Sequence, residues 1–199
     1  MWTESTDDCK PVPGDWIVAK LRELGATLRE RDPRFRALEP GRFLDPRAVY
    51  EVVARGDVER GVALICEKYG LDPARARLTW VTEMASDRVA AHVRSEPGGA
   101  IEISIRAHYK DEPRGLATVI AHELGHAYLT DLDIHNGGDW QGEATTDLVT
   151  FVKGLGKLTV SGVDHVQHGQ RLALLRLPRS RGRRLRLRPH GAGPRRRPR

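Results

Sequence analysis

The heptapeptide Ala121-His122-Glu123-Leu124-Gly125-His126-Ala127 carries two histidines four residues apart. On a helix that spacing puts both side chains on one face, one turn above the other. His122 and His126 can therefore reach a single ion, and two imidazoles make half of a zinc site. Glu123 stands between them, placed to accept a proton from a water that the metal activates, which is the general-base role in metal-assisted hydrolysis. Just upstream, Asp111-Glu112-Pro113 predicts a helix start, with Asp111 as cap and Pro113 in the first turn. Leu116, Val119, Ile120, Leu124 and Ala127 then recur at helical spacing and form a core face, with the histidines on an adjoining one.

Downstream lies a candidate third ligand. A polar stretch ending Asn136-Gly137-Gly138-Asp139-Trp140 reads as a loop, with Asp139 as the cap of a second helix that stops near Gly154. That helix carries Glu143 and Asp147, again four apart, so both carboxylates point the same way. Two histidines and one carboxylate leave a fourth tetrahedral position for water, as in a hydrolytic zinc site. Asp147 can accept the spare ring N–H of a ligand histidine and fix its tautomer. His135, Asp131 and Asp133 are alternative third ligands.

His122-Glu123-x-x-His126 followed by Glu143-x-x-x-Asp147 resembles the gluzincin metallopeptidases, and the short spacing resembles their smallest intracellular members, the minigluzincins. The likeness spans roughly Leu78 to Gly156, less than half of the chain. It implies zinc held by His122, His126 and Glu143, catalysis through Glu123, and a peptide or protein substrate. A metzincin would need a third histidine six residues after His126, where this chain has Leu132. The fold expected is α+β and zincin-like. A small antiparallel or mixed sheet would pack on the motif helix and on a second, Glu-bearing helix, with a helical layer at the N-terminal side.

The totals are consistent with one domain. The chain has 199 residues and a net charge of +6, but from Arg171 onward there are 12 arginines, no lysine and no acidic residue. Of the 33 basic residues, 21 remain in residues 1–170, against 27 acidic ones, so that part carries −6. Nucleic-acid binding is therefore expected only through the tail. No apolar run long enough to span a bilayer exists, and the first residues lack the features of a secretory leader. A cytoplasmic location with no membrane association is expected. Cys9 and Cys66 are too few for a disulfide framework, and Cys66 reads as a small core residue.

The expected organisation is a flexible segment over 1–13, a metallopeptidase-like domain over 14–168 and a disordered Arg-rich tail over 169–199. Basicity without lysine is what a shifted reading frame in a GC-rich gene would produce. Within the domain, residues 15–30 read as an amphipathic helix capped by Asp15. Arg31 to Phe43 reads as a loop, and helices begin at Asp45-Pro46 and at Asp57, the latter ending at Gly70. Strands are predicted at Leu78–Val81, at Arg88–Val93 with His92 on the surface, and at Ile101–Arg106. The last of these lies directly before the motif helix, and the resemblance implies that such a strand can hold an extended substrate at a sheet edge. Tyr109, Tyr128, His165 and His168 are candidate donors to a developing oxyanion. The alternatives to a peptidase are a zinc-binding regulatory or interaction protein without turnover, and a nucleic-acid-associated protein acting through its tail.

Overall fold

The structure, a computed structural model, describes residues 12–35, 43–84, 89–134 and 139–162. Six α-helices are described: α1 (Gly14–Arg31), α2 (Pro46–Ala54), α3 (Val58–Tyr69), α4 (Pro113–Asp131), α5 (Trp140–Thr150) and α6 (Gly156–Gly162). Strands β1 (Ala76–Val81), β2 (Ala91–Ser95) and β3 (Ile101–Arg106) form one mixed sheet. No described helix is long and apolar enough to cross a membrane.

α4, which bears the paired histidines, is the central element. Every residue from Gly115 to Gly125 is buried, so this helix has no solvent face over three turns. α2, α3, α5, α6 and the sheet all pack against it. Its start differs from expectation: Glu112 occupies the cap position without a side-chain cap bond, while Asp111 ends a 3-10 turn. The residue before a proline is held in extended backbone, and Glu112 has φ −124° and ψ 72°. The cap thus falls next to Pro113 and Asp111 is left outside.

The helical layer forms for local reasons. Asp45 accepts from the Arg47 amide ahead of Pro46, and Asp57 accepts from the Arg60 amide. Gly70, at φ 78°, closes α3 in the left-handed conformation. α1 begins one residue earlier than expected, with Pro13 at its cap and Asp15 in the first turn, where a carboxylate favours the helix dipole. Leu24 and Leu28 are its buried residues, with Ile17 and Leu21 partly buried on the same stripe.

β3 is the middle strand: β1 pairs with it in parallel and β2 antiparallel. Ile101, Ile103 and Ile105 alternate into the core as their spacing predicts. Because both of its sides are paired, β3 is not the strand that could receive an extended peptide. β2 is an edge strand of this sheet and makes the broader contact with α4. The predicted strand at 88–93 is displaced to Ala91–Ser95, with His92 exposed as expected and Arg88 outside the described residues.

After α5 the chain does not stop at Gly154. Phe151–Leu155 forms a π turn in which Gly154 takes φ 85°, and α6 continues from Gly156. Glycine tolerates this backbone without strain, so the break becomes a bend between two helices rather than an end. The Gly154 carbonyl accepts from the Leu44 amide, tying the bend to the entry of α2.

Candidate metal centre

α4 and α5 run side by side, and their contact decides whether the two histidines and the two acidic residues meet. Gly125 permits the approach. A Cβ added there would lie 2.9 Å from Thr146 Cγ2 and 3.0 Å from the Tyr69 hydroxyl. With only hydrogen on that face, α5 lies close enough for its side chains to reach both imidazoles. Asp139 starts α5 by accepting from the Gly142 amide at 2.8 Å, which puts Glu143 in the first turn.

His122 Nε2 lies 3.0 Å from Glu143 Oε2 and 3.1 Å from His126 Nε2, and His126 Nε2 lies 3.5 Å from Glu143 Oε1. Ligand atoms of His122, His126 and Glu143 all fall within 4.8 Å of one another, so the three form a group able to hold a metal ion. Tetrahedral bonds of about 2.0–2.2 Å put neighbouring ligand atoms roughly 3.2–3.6 Å apart; the 3.5 Å separation lies in that range, and those of 3.0 and 3.1 Å lie just below it. The set is open on one side. The His122 side chain is 6% exposed and that of His126 16%, whereas Glu143 keeps 40%.

The remaining nitrogens are also engaged. His122 Nδ1 lies 3.0 Å from Oδ1 of Asp147, a residue with no solvent exposure. A carboxylate can only accept here, so Nδ1 carries a hydrogen, and a metal at the site would take the place of the hydrogen that Nε2 otherwise donates to Glu143. Burial works against a charge on His122, but Asp147 and Glu143 outweigh it and hold its pKa well above the ordinary value. For Glu143 burial raises the pKa, and hydrogen bonds and charge from the two histidines overcome it and hold the carboxyl far below the usual range. Glu123 follows His122 on α4 and is 3% exposed. Its carboxylate makes no hydrogen bond or ion pair among the described residues.

Other expected participants fall elsewhere. Asp131 is taken by a bidentate pair with Arg75, at 2.6 and 2.9 Å, and accepts from the Gly98 amide. Burial raises its pKa, but Arg75 and that amide more than reverse the effect. Asp133 is fully exposed and pairs with Arg31 at 3.5 Å. Neither belongs to the group of His122, His126 and Glu143, and His135 lies outside the described residues. Tyr128 is 2% exposed and donates to Asp32 Oδ2 at 2.6 Å, so its hydroxyl is not available to an oxyanion. Tyr109 is 1% exposed, with its hydroxyl buried and without a partner among the described residues. His165 and His168, together with the 169–199 tail and residues 1–11, lie outside the described residues. Cys66 is in the core, and burial pushes its thiol up to about 12.

Two features escape a reading of the sequence. Thr146 Oγ1 sits 3.2 Å from His126 Nδ1. A buried pair, Asp32 with Lys153 at 3.2 Å, joins the end of α1 to the π turn, with Tyr128 donating to the same carboxylate. The signal for Thr146 was its position three residues after Glu143 on the face that meets α4. Nothing local marks Asp32 and Lys153, which are 121 residues apart.

Comparison with protein-family models, with curated proteins and with solved structures finds no match for this chain.

Proposed function

We propose that this chain is a zinc-dependent metallopeptidase of gluzincin type with a zincin-like fold. The observation that carries the reading is the convergence of His122, His126 and Glu143 on one point that is open on the Glu143 side. Two imidazoles and one carboxylate suit zinc among the common divalent ions, and three protein ligands with an open position suit hydrolysis rather than a purely structural site. When bound, the ion supplies Lewis acidity, which polarises a carbonyl oxygen and acidifies water.

The chain's own groups have defined tasks in this reading. Asp147 holds His122 as the Nδ1–H tautomer. Glu123, uncommitted to any described partner, takes the proton of the attacking water and delivers it to the leaving amine. Along the chain the sheet strands, the motif helix and the acidic helix follow one another as this reading expects. β2, not β3, is the edge along which an extended peptide would lie.

The test is cleavage of a denatured protein pool by the zinc-loaded full chain, read as new N-termini by mass spectrometry. Wild type is expected to generate them, while Glu123→Gln retains zinc and generates none. Equal cleavage by Glu123→Gln, or no cleavage by a zinc-loaded wild type across varied pools, contradicts the assignment.

A further inference from the structure

His126 presents Nε2 to the metal centre, so its orientation depends on what its other nitrogen meets. Nδ1 lies 3.2 Å from the hydroxyl oxygen of Thr146, a residue with no solvent exposure. That hydroxyl also lies 3.1 Å from the Gly142 carbonyl oxygen, which can only accept. Once the hydroxyl proton is directed to Gly142, the Thr146 oxygen faces Nδ1 as an acceptor. The ring hydrogen then sits on Nδ1 and the lone pair on Nε2. Asp147 achieves the same for His122 with a charge; Thr146 does so without one, by borrowing a carbonyl from the first turn of α5. The methyl of the same side chain has a separate place, against the bare face of Gly125.

We propose that Thr146 is a positioning residue of the metal centre. Its hydroxyl, anchored on Gly142, fixes the tautomer and ring orientation of His126, while its methyl sets the spacing of α4 and α5. This role rests on reading His122, His126 and Glu143 as a metal centre. It assigns the His126 side of that centre to a neutral group that the Glu143-x-x-x-Asp147 pattern does not include.

Two substitutions separate the tasks. Thr146→Val keeps the branched shape and removes the hydroxyl; Thr146→Ser keeps the hydroxyl and removes the methyl. Zinc affinity of the full chain is measured by competition with a chromophoric chelator, beside thermal unfolding of the metal-free proteins. Loss of an outer partner of a ligand histidine weakens metal binding about 10- to 100-fold. Thr146→Val is expected to show that loss, and Thr146→Ser to bind within about threefold of wild type even where its unfolding temperature falls. Wild-type affinity in Thr146→Val, or a loss in Thr146→Ser as large as in Thr146→Val, overturns the role of the hydroxyl. A folded wild type that takes up no zinc defeats the metal-centre reading itself, and this is read before any variant is compared.

Discussion

Asp147 Oδ1 lies 3.0 Å from Nδ1 of His122, and that contact turns the other ring nitrogen toward Glu143 and His126. The same carboxylate, with Glu143, keeps the metal-free imidazole protonated above its ordinary pKa of 6.5 against the opposing effect of burial. A metal must displace that proton. Zinc affinity is therefore expected to weaken as pH falls through the raised pKa, by about tenfold per pH unit for one proton. Asp147→Ala removes the charge and the orienting bond together. It should weaken zinc binding about 10- to 100-fold at pH 8 and shift the pH dependence to lower pH. Chelator competition across pH checks both, and a pH-independent affinity over this range would contradict the proton displacement.

Gly125 is where α4 and α5 come closest to needing a missing atom. Gly125→Ala puts a methyl within 3.0 Å of Thr146 and Tyr69, neither of which is the loose end of a flexible chain. Overpacking of this kind costs about 1–3 kcal/mol. Because α5 carries Glu143 and Asp147, the variant should also lose zinc affinity. Thermal unfolding and zinc titration of Gly125→Ala are the measurements; a variant unchanged in both would mean that the spacing is not set there.

Asp32 has a depressed pKa in the fold. Burial alone would raise it, but the hydroxyl of Tyr128, the charge of Lys153 and the Arg34 amide together prevail. A carboxylate whose folded pKa is lowered adds stability that is present above its ordinary value of 3.8 and is lost as pH falls through the folded value. Asp32→Asn leaves Lys153, whose side chain is 9% exposed, without its counter-ion. Breaking a buried pair costs about 3–5 kcal/mol. Urea unfolding should show that loss at pH 7, and a shallower decline than wild type between pH 4 and the folded value.

An edge strand used for substrate has a recognisable vulnerability. The Arg106 amide donates to the Ala90 carbonyl, so in the antiparallel register His92 and Arg94 face β3 through their backbone, while Ala91 and Val93 face outward. Val93→Pro removes an outward N–H and spares the ladder. On the peptidase reading, KM for a cleaved peptide rises with zinc content unchanged. An unaltered KM would place the substrate elsewhere.

Much of the site was legible because its signals are local. The i, i+4 pairs His122 with His126 and Glu143 with Asp147, the Asp139 cap and the alternating isoleucines of β3 are each set by helix or strand period within a few residues. Strand order was not, since nothing within Ile101–Arg106 says whether one or both of its edges are paired. The engagement of Tyr128 was not legible for a related reason: it depends on Asp32 and Lys153, partners far away in sequence. Gly125 reads as an ordinary motif glycine until α5 is set against it.

The most direct test of this account is the zinc content of the purified full chain by elemental analysis, with Glu143→Ala measured beside it. One zinc per wild-type chain, with binding sharply weaker in Glu143→Ala, is the expected result. A well-folded wild type that holds no zinc after loading, or a Glu143→Ala variant that holds it as firmly as wild type, contradicts the metal centre built from His122, His126 and Glu143.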